Sequence, residues 1–211
     1  MFEDLRRQLD DRRVPREAVQ LPGDAAPPLE GALALLPTEA GFDLATVDYG
    51  RVAPLGHADD ETSAAALLLA YLDRPLPAPR RLDEDEFRAL TRSTSEQAEA
   101  LRSRLADGAI LIQLPAGIAV DRIGALDGIM LFPAETPVER RALPPTAVTR
   151  AARLHRFLTA ADVLVRAEVV APWFGQPGGG IRFTLADDFV GIRDLVVDGA
   201  LERVEVGQPA E

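Results

Sequence analysis

The sequence predicts an α+β protein: a compact, β-rich C-terminal domain preceded by a helical and hairpin N-terminal region. Three observations carry this. The 211 residues are 47% hydrophobic and 27% charged, the composition of a folded chain long enough to bury a sizeable core. Patterning changes near Gly108, from helical spacing before it to short apolar runs punctuated by Pro and Gly after it. Between the regions, Pro75-Leu76-Pro77-Ala78-Pro79-Arg80-Arg81 alternates proline and favours an extended linker.

Residues 1 to about 30 open with a short charged helix and turn Pro-rich at Pro15, Pro22, Pro27 and Pro28, which predicts a loosely tethered arm. From Gly31 to Val52 two apolar stretches flank Pro37-Thr38-Glu39-Ala40-Gly41, the pattern of a hairpin. A helix follows, capped near Asp59 or Asp60 and ended by Pro75. Asp83 to Ala106 reads as two consecutive helices: Asp83 with Glu86 resembles a capping box, Ser93 to Ser95 restart the helix, and Gly108 stands where a C′ glycine belongs. Then come the β-runs AILIQL, IAVDRIG, IMLF, VLVRAEVV and IRFTL, a short helix from Gly191 to Val197 and a last strand, LERVEV. The expected organisation is 1–76 as a hairpin-plus-helix region, 82–108 as a helical connector and 109–211 as the chemistry-bearing domain. The first of these is read as packing on the last or mediating assembly.

Composition removes several chemistries. Every basic side chain is arginine and cysteine is absent, so lysine Schiff bases, thiol nucleophiles and thiolate metal sites are excluded. The net charge of -11 argues against nucleic acid and anionic membranes as partners, because both need a basic footprint. The acidity is concentrated before residue 109, with 13 Arg against 21 acids there and 10 against 13 after it, so the C-terminal part tolerates an anionic ligand. The longest apolar run, Ala64 to Leu72, is far shorter than the ~20 residues a membrane helix needs. The charged N-terminus lacks the apolar core of a secretory signal, which predicts a cytoplasmic protein or one exported without a cleavable signal. No metal constellation stands out: Asp83 to Glu86 is a helix start complementing the dipole, and His57 is a surface residue.

The most informative stretch is Ala171-Pro172-Trp173-Phe174-Gly175-Gln176-Pro177-Gly178-Gly179-Gly180. Trp173 and Phe174 offer a rigid aromatic surface, and Gly178, Gly179 and Gly180 let backbone amides approach a ligand. The bland alternative is a flexible hairpin with Trp173 in the core.

Taken in order, LPAGIAVDRIGALDGIMLFPAETPVERRALPP, LHRF, APWFGQPGGG and GIRDLVVDGALERVEV resemble the tuberculosis necrotizing toxin family of NAD glycohydrolases, over about residues 110–206. The resemblance implies a domain that binds NAD as substrate, needs no cofactor, and releases nicotinamide and ADP-ribose. NADP as a further substrate and an immunity-type inhibitor protein as partner follow from the resemblance alone. The family's Asp-Arg-aromatic-Gly motif maps to Asp121-Arg122-Ile123-Gly124, which makes Arg122 the expected catalytic arginine, a fork suited to pyrophosphate or carboxamide oxygen. The family histidine maps to His155, expected to contact phosphate or ribose.

Two departures stand out. Met130 occupies a position where the family usually has an aromatic, and Arg182 stands where PGGG-x-Gln would place a glutamine. If the upstream glutamine is the catalytic one, Gln176 survives. If it is the downstream one, Arg182 sets a cation beside a transition state that develops positive charge, unless it turns toward phosphate. The implied catalytic set is Arg122, Gln176 and His155, with Trp173, Phe174, the three glycines, Arg182 and Met130 as substrate contacts. The competing readings are a catalytically degenerate module that binds NAD, ADP-ribose or a protein partner, and a transferase that hands ribose or phosphoryl to another acceptor. No carboxylate pair is required for hydrolysis, because nicotinamide leaves as a neutral group.

Overall fold

A computed structural model describes residues 2–26, 28–106, 108–148 and 152–207; Pro27 of the expected arm and residues 208–211 of the C-terminal domain lie outside these. The first unit holds helix α1 (Glu3–Asp11), strands β1 (Val19–Gln20), β2 (Ala32–Thr38), β3 (Gly41–Asp48) and β4 (Arg51–Ala58), and helix α2 (Glu61–Leu72). The strands form one sheet in sequence order, with β1 parallel to β2 and the rest antiparallel.

The expected arm is not loose. Phe2, Leu5 and Leu9 are buried with Leu33, Leu35, Leu44 and Leu68 in a core of their own, so α1 closes the sheet as α2 does. The hairpin is present, and a third strand, β4, follows it. Pro54 and Gly56 disguise β4 in the sequence, and its place at the sheet edge, beside a register shift at Leu44/Ala45, is where proline is tolerated. His57 lies exposed on β4, 2.7 Å from Asp43, which raises its pKa. Asp60 caps α2 by accepting from Ser63 N.

After Pro75–Pro79 the chain enters the second unit through β5 (Arg80–Leu82), which runs parallel to the final strand. Helix α3 is continuous over Glu84–Leu101, capped by Asp83, and a 3₁₀ turn at Arg102–Leu105 ends it. The expected break at Ser93–Ser95 does not occur. Thr94 is buried, and its hydroxyl accepts the Ala119 amide, so the polar residues dock the helix on the sheet. The remaining elements are β6 (Ile110–Leu114), β7 (Ala119–Gly124), β8 (Met130–Pro133), α4 (Val138–Arg141), β9 (Arg153–Thr159), β10 (Val163–Val169), β11 (Ile181–Leu185), α5 (Ile192–Val197) and β12 (Leu201–Val206). Eight strands make one sheet in the order β5-β12-β9-β7-β8-β11-β10-β6. Its main core gathers Val120, Leu131, Phe132, Phe157, Val165 and Phe183, and the architecture is α+β throughout. Among the described residues no helix is long and apolar enough to cross a membrane.

Candidate functional site

Asp48 and Arg51 end the paired part of β3 and β4, and Tyr49-Gly50 between them both have positive φ, 48° and 75°, the geometry of a tight hairpin turn. That turn drives Asp48 and Tyr49 into the C-terminal unit. Asp48 meets Arg122 of β7 in a completely buried ion pair, Nη1 to Oδ2 and Nη2 to Oδ1 both at 3.0 Å. The other Arg122 donors reach Ala125 O at 2.8 Å, Met130 O at 3.2 Å and Glu30 O at 3.1 Å. All five guanidinium N–H groups are therefore engaged. Burial opposes the charged form, but Asp48 overrides it and holds the Arg122 pKa above its usual value. Gly31 and Gly128 are glycines of necessity, since a Cβ at either would collide with this guanidinium.

Arg122 is thus not free to anchor a ligand as the sequence suggested. It joins the two units and holds the Ala125–Met130 segment. Asp48 Oδ2 completes the cluster by accepting from Ile129 N at 2.8 Å and Met130 N at 2.9 Å. Tyr49 donates to Ile123 O at 3.2 Å and packs edge-on against Phe132. Met130, expected to face substrate, is instead fully buried in the core beneath this junction.

A second junction lies on α5. Tyr71 donates to Asp194 at 3.0 Å, Arg74 pairs with the same carboxylate, and Tyr71 is flanked by Arg74 and by Arg193. Arg193 forks onto Asp127 at 2.7 and 3.2 Å, and both are nearly buried.

Between the two junctions opens a cleft of about 520 Å³, with Gly124–Asp127, Arg153, His155 and Arg193 on one side and, on the other, the segment that follows α1 (Arg12, Val14, Pro15), Ala18 of the Arg16–Ala18 turn, and the end of α2. His155 sits opposite Arg122 on the β7–β9 ladder and so projects from the same face. Its Nε2 lies 3.2 Å from Gly124 O, which fixes that nitrogen as the donor and leaves the lone pair on Nδ1. Burial first, then the charge of Arg122, push its pKa down to about 4, so the ring is neutral at pH 7.

The glycine-rich loop is a third, separate place. Trp173 and Gln176 exchange both backbone hydrogen bonds around Phe174-Gly175, whose φ values of 47° and 73° repeat the Tyr49-Gly50 geometry. The turn lifts Trp173 and Phe174 half-exposed, with ring centroids 4.2 Å apart. The glycine amides are not turned to a ligand. Gly178 N bonds Glu139 O, Gly179 N bonds Val170 O and Gly180 N bonds Arg140 O, so the run strips side chains from a close approach to α4. Gln176 Nε2 donates to Leu143 O at 2.7 Å, and among the described residues its buried Oε1 has no partner. Arg182 is forked onto Glu168 at 2.6 and 3.0 Å, which neutralises the cation that looked adverse in the sequence.

Sequence reasoning missed Asp127, Arg193 and Arg141. Arg141 is buried, 2.7 Å from Asp121 and over the Phe132 ring, and its only signal is its place in the RRALPP run. Asp127 and Arg193 carry no local signal, since their pairing spans 66 residues.

Residues 113–204 match the family model described as Tuberculosis necrotizing toxin. A conidial surface nicotinamide adenine dinucleotide glycohydrolase, nadA, of Aspergillus fumigatus is 32% identical over 97 residues, 44% of this chain and 40% of that protein. The chain thus spans about two fifths of the length of that curated relative. Among solved structures, tuberculosis necrotizing toxin complexed with its immunity factor IFT is 25% identical, covering 46% of this chain and 58% of that one with a TM-score of 0.38. Tse6 in complex with Tsi6 is 16% identical, covering 55% and 96% with a TM-score of 0.33. The match to the tuberculosis necrotizing toxin family model is thus confined to the C-terminal unit, which Arg122 joins to an N-terminal unit that precedes the match.

Proposed function

We propose that the protein hydrolyses the nicotinamide N-glycosidic bond of NAD, giving nicotinamide and ADP-ribose. The observation that carries this reading is the family match over residues 113–204, which takes in every motif from Asp121-Arg122 to Gly178-Gly179-Gly180. The glycohydrolase activity for which the A. fumigatus relative is named points the same way.

The cleft beside His155 suits this chemistry. Its volume falls within the ~300–1,000 Å³ of small-molecule sites. As the bond to nicotinamide breaks, positive charge develops on the ribose, and the Asp127 carboxylate lines the same cleft with its charge balanced by the Arg193 fork. His155, being neutral, adds no repulsion and can accept a hydrogen bond at Nδ1 from a ribose hydroxyl or the attacking water. Because the leaving group is already neutral, holding the substrate and admitting water suffice.

Incubation of the purified protein with NAD tests the reading. Equimolar nicotinamide and ADP-ribose are expected, reduced at least tenfold by His155→Ala, which removes the Nδ1 acceptor. Release no faster than in buffer at micromolar protein refutes it.

A further inference from the structure

We propose that the N-terminal unit is part of the substrate site: it supplies the wall that receives the adenosine diphosphate end of the dinucleotide. This rests on the glycohydrolase reading and extends it to residues outside the family match.

The cleft is composite. Its polar end, with His155, Asp127 and Arg193, belongs to the C-terminal unit, whereas Val14, Pro15, Ala18, Leu29 and Leu72 bring a largely apolar wall from the N-terminal unit. The two sides are not loosely apposed. The buried Arg122–Asp48 pair fixes one flank and Tyr71 and Arg74 on Asp194 fix the other, so the cavity is preformed. An apolar wall suits a purine face, and a polar end suits the ribose that reacts.

The arginine that a diphosphate can reach is at the rim: Arg12 and Asp73 line the N-terminal side of the cleft, while Arg193 is already forked onto Asp127. Arg12 sits on the N-terminal rim, exposed and forked onto Asp73 with both contacts at 3.2 Å. An exposed pair of this kind holds its partner weakly, and a guanidinium there can turn its fork to a diphosphate. The reacting end of NAD alone would leave the apolar side of the cavity open to water. A whole dinucleotide uses both ends.

The test compares NAD with nicotinamide riboside, which has the same scissile bond and lacks both the diphosphate and the adenosine. Ala18→Trp fills the N-terminal wall, and Arg12→Glu reverses the rim charge without touching the core. The expected result is a fall in kcat/KM for NAD of tenfold or more in Ala18→Trp and severalfold in Arg12→Glu, with the riboside changed by less than twofold. Equal losses on both substrates, or no loss on NAD, overturn the proposal. Should Ala18→Trp fail to fold, Arg12→Glu at the exposed rim decides by the same criterion. If the wild-type protein releases nicotinamide from neither substrate, the glycohydrolase reading fails, and calorimetry with ADP-ribose judges the cleft separately. Binding weakened tenfold by either variant supports the wall; binding that is absent in the wild type, or unchanged in the variants, overturns it.

Discussion

Replacing Arg122 by methionine would remove a guanidinium that satisfies three carbonyls and the only charge opposite Asp48 in its ion pair. Asp48 keeps its two amide donors at Ile129 and Met130, but it would be left without its counter-charge in a site with no solvent access. Breaking one side of a buried pair costs about 3–5 kcal/mol. For a chain of this size each kcal/mol moves the melting temperature by roughly 2–4 °C, so Arg122→Met is expected to melt about 6–20 °C lower. Arg122→Met combined with Asp48→Asn removes both charges, while the carboxamide oxygen introduced at this position still accepts from the two amides. The double variant is therefore expected to regain about 1–3 kcal/mol over Arg122→Met alone. Circular dichroism melts and urea unfolding of the four proteins measure the cycle. If Arg122→Met melted within 2 °C of wild type while NAD binding disappeared, the guanidinium would be a ligand group and the account of it as a junction would be wrong.

Titration of His155 should shape stability against pH. Its folded pKa of about 4 lies below the unfolded ~6.5, so its contribution is fully present above pH 6.5 and is lost as pH falls toward 4, by up to about 3 kcal/mol; His155→Gln should flatten that slope in urea titrations run between pH 4 and 7. Gly180→Ala would press a Cβ to 2.6 Å from Arg140 O and should lower the melting point well beyond Gly179→Ala, which meets no atom and costs only the ~1–2 kcal/mol of a left-handed alanine at φ 83°; equal effects would show that α4 does not press on this loop. Met130→Tyr, which restores the aromatic of the resembled family, should overpack the core and destabilise by about 1–3 kcal/mol without raising NAD turnover, and a faster enzyme would count against the burial of that position.

Six of the eight strands of the C-terminal sheet were legible because short β-branched and apolar runs between prolines and glycines have few other uses; β5, at the end of the expected linker, and β9, broken up by Arg153, His155 and Arg156, were not. Helix α2 was legible from Asp60 and the apolar run behind it. β4 was not, since Pro54 and Gly56 mimic a loop and only its edge position excuses them. Serine and threonine at 93–95 looked like a helix break, yet one of them was a docking hydroxyl whose acceptor role depends on Ala119, far along the chain. The site was legible in part. His155 stands in the cleft, but the role expected of Arg122 was lost to a partner 74 residues away, and nothing near either residue announces that pairing. Motif reasoning locates residues that matter and leaves open whether they meet a substrate or another part of the same chain.

The proline linker at Pro75–Pro79 marks where the chain is easiest to cut and also where a cut would leave the most unfinished. On one side would remain a unit bearing Asp48 on its sheet and Tyr71 on α2, on the other a unit bearing Arg122 on its sheet and Asp194 on α5. Each fragment would display one member of a charge pair that only the other can neutralise without water. Two such pieces are built to find each other, so the chain split at this linker should reassemble by fragment complementation, with the buried pair as the element that makes the reunion selective.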